Sequence, residues 1–73
     1  MSPEVTDAAI REVLHAISDR LEQASAVAKA AQACAAIGDR SRAVAILLDV
    51  EQPLYEATTF LNAASLINRC SET

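Results

Sequence analysis

Gly38 is the only glycine in the chain, and it stands where one apolar helical run stops and another starts. Ala35-Ala36-Ile37 leads into it, and Asp39-Arg40-Ser41-Arg42-Ala43-Val44-Ala45-Ile46-Leu47 leads away. Glycine takes the left-handed conformation just past a helix end without the penalty that a Cβ incurs. Asp39 or Ser41 then supplies a side-chain oxygen to cap the next helix. The pattern predicts an antiparallel helical hairpin turning at Gly38.

The first arm opens at Ser2-Pro3-Glu4, with serine as cap and proline pre-set for the first helical position. Ile10, Leu14, Ile17 and Leu21 alternate four and three residues apart, and Ala24, Ala28, Ala31 and Ala35 continue the rhythm. Periodicity allows one helix over 3–37. The change from leucine and isoleucine to alanine, with Ser25 placed to cap a fresh helix, equally allows a break near 22–25.

In the second arm Ala43, Leu47, Val50, Leu54, Ala57, Leu61 and Ala64 repeat the spacing, with Ile46, Phe60 and Ile67 on a neighbouring stripe. Pro53 interrupts it, since an interior proline lacks an N–H and clashes with the preceding turn. Gln52 is pushed toward extended backbone. The expectation is one helix over about 40–51, another over about 53–69 with Pro53 in its first turn, and a mobile tail at 70–73. The whole chain, 1–73, reads as a single small all-α domain of three to four antiparallel helices.

Apolar residues make up 52% of the chain, yet Tyr55 and Phe60 are its only aromatic residues and much of the rest is alanine. A chain this short buries only about 60% of its unfolded surface. Alanine adds little to that burial free energy. Such a core is shallow and incomplete without a partner. The net charge of −4, with no basic stripe, argues against nucleic acid. Met1-Ser2-Pro3-Glu4 lacks the features of a signal peptide, and no apolar run approaches the roughly 20 residues of a membrane span. A cytoplasmic protein with Cys34 and Cys70 as reduced thiols is expected.

Little points to catalysis, a cofactor or a metal. One glycine cannot build a phosphate loop, and His15 has no second histidine. Asp49, Glu51 and Glu56 gather around Pro53, a pattern that a soluble helix junction explains without a pKa-tuned pocket. Ala28, Ala30, Ala31, Cys34 and Ala35, flanked by Val27 and Ile37, instead form a small-residue face that lets another helix come close. The chain's own second arm competes for that face.

Ala43 follows the Gly38-Asp39 pair at the spacing of a tetratricopeptide-type unit. With Ile46-Leu47, Asp49-Val50, Pro53, Glu56-Ala57 and Leu61, the stretch Ala35 to Leu66 resembles the YscG/SsaH/EscG family of type III secretion needle-protein co-chaperones. The resemblance implies a tetratricopeptide-like helical hairpin array. It also implies a cytoplasmic complex with a second small helical co-chaperone that holds the needle subunit's C-terminal helix and prevents premature polymerisation. On that reading the groove is lined by Val27, Ala31, Cys34 and Ile37 and completed by Ile46, Val50, Tyr55 and Phe60. The alternative is a self-associating hairpin, a four-helix-bundle homodimer formed through Leu47/Leu54/Leu61 and Ile46/Phe60/Ile67.

Overall fold

The computed structural model describes residues 2–72, with Glu72 as backbone only. Helix α1 spans Pro3–Ala36, α2 spans Arg40–Leu47, a 3-10 turn covers Leu48–Val50, and α3 spans Glu51–Glu72. Both ends of the first arm close as the sequence predicts. The Val5 N–H donates to Ser2 Oγ at 3.3 Å, and Pro3 occupies the first turn, where no N–H is needed.

At the turn, the Gly38 N–H donates to the Ala35 carbonyl and the Asp39 N–H to the Cys34 carbonyl, both at 3.0 Å. Those two bonds are the Schellman arrangement, and Gly38 carries it at φ +84°. Asp39 rather than Ser41 caps α2, its Oδ1 accepting from the Arg42 N–H at 3.1 Å.

The first arm follows the continuous reading, and the second arm needs a correction. Helix α1 has no break at 22–25: Ser25 is exposed and caps nothing, while Ala24 is buried and keeps the apolar rhythm in phase. Pro53 lies in the first turn of α3, as expected, but it does not split the second arm into separate antiparallel helices. The 3-10 turn just before α3 shifts the local hydrogen bonds from the i−4 to the i−3 carbonyl, which accommodates a proline in the first turn of α3. Backbone angles stay right-handed helical through Leu47, Leu48 and Glu51, and Gln52 is helical rather than extended. The described residues therefore form two long rods instead of three to four antiparallel helices. Helix α3 also runs on past residue 69 through Glu72, so of the expected tail only Thr73 lies outside the described residues.

The rods meet along a seven-residue repeat. From α1 the seam takes Thr6, Ile10, Val13, Ile17, Arg20, Ala24, Val27, Ala31 and Cys34, all buried or half-buried, with Ala9, Ala16 and Ala28 half-buried beside them. From the second rod it takes Ala43, Ile46, Val50, Pro53, Ala57, Phe60, Ala64 and Ile67, with Glu56 and Ala63 half-buried beside them. Both rows alternate three and four residues apart, the signature of a coiled-coil seam. Apart from Pro53, the buried apolar residues of this seam, Ala24, Ala31, Ala43 and Ala57, are all alanine, and among the described residues no large side chain is fully buried.

The molecule measures 54 × 14 × 11 Å. A helix of 34 residues is about 51 Å long, so α1 runs nearly end to end. The shortest dimension is one helix thick, and both broad faces of the hairpin lack a covering layer.

A candidate partner-binding face

Arg20 fixes how the rods align. It sits within the seam, its Nε 3.0 Å from Glu56 Oε1 and its guanidinium 5.7 Å from the centre of the Phe60 ring. Nε approaches the carboxylate as an ion pair rather than as an aligned hydrogen bond. This pairing places Ile17 level with Phe60, Ala24 level with Pro53, and Val27 level with Val50. Ile17 with Phe60 and Val27 with Val50 thus meet as apolar pairs, while Ala24 faces the compact ring of Pro53.

Each rod carries a second apolar row, four residues beyond alternate seam positions. In α1 it is Leu14, Leu21, Ala28 and Ala35; in the second rod it is Leu47, Leu54 and Leu61. In an antiparallel pair these equivalent positions fall on the same side of the seam. One broad face is therefore a strip of leucine and alanine. Its five leucines remain well exposed, from 44% at Leu54 to 57% at Leu61.

Two shallow grooves run along that strip. One, about 290 Å³, lies between Ala28 and Ala35 of α1 and Ala43, Val44 and Leu47 of α2. The other, about 410 Å³, lies between Ile17 and Leu21 of α1 and Leu54, Thr58 and Leu61 of α3. The Thr58 hydroxyl donates to the Leu54 carbonyl at 3.0 Å, so its polar group is satisfied within the helix. The opposite broad face carries Ala9, Ala16, Gln23 and Ala30 against Arg42, Asp49, Glu56 and Ala63. It is small-residue and polar, without a leucine row.

The residues assigned to a groove from the sequence fall differently. Val27, Cys34, Ile46, Val50 and Phe60 are half-buried and Ala31 is buried, all within the chain's own seam. Ile37 is 80% exposed at the turn, and Tyr55 is 70% exposed on the outer side of α3, away from the seam. The eight do not form one open surface. Leu14 and Leu21 were not assigned to it, and Leu47, Leu54 and Leu61 were assigned only to self-association. Their signal was present as the outer half of the four-three repeat.

The polar candidates are dispersed. His15, Asp49 and Glu51 are exposed, and Glu56 is taken by Arg20. Among the described residues, no three His, Cys, Asp or Glu side chains converge to hold a metal ion. Cys34 is half-buried and Cys70 is exposed, both as thiols. No helix among the described residues is long and apolar enough to cross a membrane.

Comparison of the chain with known protein families, curated proteins and solved structures yields no match to any of them.

Proposed function

We propose that this protein is a cytoplasmic helix-binding adaptor that acts as a co-chaperone of a type III secretion needle subunit. The adaptor role rests on one observation: five leucines line one face of a hairpin only one helix thick and are left half-covered. An amphipathic helix laid on such a face buries apolar surface on both partners, and exposed apolar patches of this extent mark interaction sites. The assignment to needle export rests on the residue pattern from Gly38 to Leu61 described above.

The bound client is the needle subunit's amphipathic C-terminal helix, and a second small helical co-chaperone completes the groove. A single hairpin supplies one floor of the tetratricopeptide-like array, and helices from the other chains supply its walls. Holding the client helix on the leucine face keeps it from joining other needle subunits before export.

Co-expression with a tagged needle-type subunit tests this. A soluble complex is expected with the native chain, and Leu54→Glu together with Leu61→Glu is expected to abolish it while circular dichroism stays helical. A complex that survives both glutamates overturns the reading.

A further inference from the structure

We propose that, without a client, the leucine face is covered by a second copy of this chain, laid on it end for end. The first argument is area. The hairpin exposes 5372 Å², whereas a compact monomer of its 7.7 kDa mass presents about 4,300 Å². The excess is about 1,000 Å² per chain. Two copies that each bury this amount form an interface of about 2,000 Å², the size of a stable dimer, and the broad face of a rod pair is the surface large enough to supply it.

The second argument is the order of residues along the face. At the open end of the hairpin the strip begins with Asp7 on α1, and at the turn end it finishes with Arg40 on α2. Both are exposed. Between them, Leu14 lies toward the open end and Ala28 toward the turn, about equally far from the level of Leu21 and Leu54. A two-fold axis through that middle level, perpendicular to the rods, sets Leu14 of each copy against Ala28 of the other. The same operation brings Asp7 of one copy to the level of its partner's Arg40, across the bundle. A two-fold axis along the rods separates those charges by the length of the hairpin. The complementarity of charge and bulk selects the inverted arrangement, a four-helix bundle with antiparallel neighbours.

Such a dimer competes with the client for one surface, which makes client loading an exchange rather than an addition. Sedimentation equilibrium of the isolated full-length chain tests the pairing. Twice the monomer mass is expected at about 10 μM, and a folded monomer at about 100 μM overturns the proposal, at the dissociation constants those concentrations define.

Charge reversals at the two exposed ends test the orientation without touching the seam. Asp7→Arg alone and Arg40→Asp alone are each expected to weaken dimerisation about five-fold at low salt, because symmetry makes each fault twice and each exposed pair is worth a little over about two-fold. Mixing the two variants is expected to restore native affinity in a heterodimer. A dimer indifferent to both reversals, or one that mixing does not rescue, overturns the inverted arrangement. Client capture is read separately: a monomer that still takes a needle-type helix overturns the dimer and leaves the adaptor role standing. A dimer that no needle-type helix displaces counts against the adaptor role and in favour of the dimer.

Discussion

Arg20 and Glu56 meet across the seam between the two rods, Nε to Oε1 at 3.0 Å, at a level where the neighbouring interface is alanine and isoleucine. An ion pair of this kind contributes little net stability, since side-chain entropy and partial hydration offset the Coulomb term. Its main effect is on alignment. The alanines of the seam present few projections that stop one rod sliding along the other, and a cation paired at one level penalises every shifted register.

Glu56→Gln is expected to lower stability by about 0.5–1 kcal/mol, an effect that shrinks in high salt. Arg20→Met is expected to be close to neutral, because it removes the charge and keeps the stem that packs in the seam. Urea denaturation at two ionic strengths measures both. A larger loss for Arg20→Met than for Glu56→Gln would show that alignment depends on the guanidinium–Phe60 contact instead.

Gly38→Ala is expected to cost about 1–2 kcal/mol, the penalty for a Cβ in the left-handed region. A Cβ built at Gly38 meets nothing within 4 Å, so the cost is purely conformational. Gly38→Asn, which tolerates that region better, is expected to cost less. Equal losses for the two variants, read from urea midpoints, would contradict this account.

Asp39→Ala removes the side-chain acceptor for the Arg42 N–H and is expected to cost about 1 kcal/mol, with Asp39→Asn recovering most of it. Ser2→Ala is expected to cost less than Asp39→Ala. The end of α1 is free to fray, while the turn joins both rods, and thermal melts of the three variants should rank them in that order.

Phe60→Ala and Leu61→Ala differ by one position and should separate folding from binding. Phe60 is half-buried in the seam, and its truncation is expected to destabilise the isolated chain by about 2 kcal/mol. Leu61 is exposed on the open face, and its truncation is expected to change the fold little while weakening whatever covers that face. Ala31→Glu is expected to disrupt the hairpin itself, on the order of 3 kcal/mol, because it forces a carboxylate into the seam.

The turn at Gly38, the Ser2 cap and the four-three rhythm were all legible in the sequence, because each is a local matter of a few residues. Pro53 does stand in the first turn of a later helix, as the sequence predicts, but its power to separate the two helices is less than the sequence suggests. The rule that proline breaks a helix is local, whereas Pro53 lies buried against the other rod and its missing N–H falls in the first turn of α3. The face was harder to read. Ile46 and Leu47 differ by about 100° around one helix, and only the position of the second rod decides which of them turns inward. Both rows look equally apolar until then.

The three residues Leu48–Val50 also affect angular phase. An ideal α-helix falls behind a seven-residue repeat by about 20° per repeat, so over the two repeats from Leu47 to Leu61 a straight rod would leave its last leucine about 40° behind the first. A 3-10 segment advances about 120° per residue instead of about 100°, which recovers roughly 60° within those three residues. The tight turn before Pro53 therefore works like a vernier correction: it more than offsets the lag and leaves Leu61 within about 20° of the bearing of Leu47.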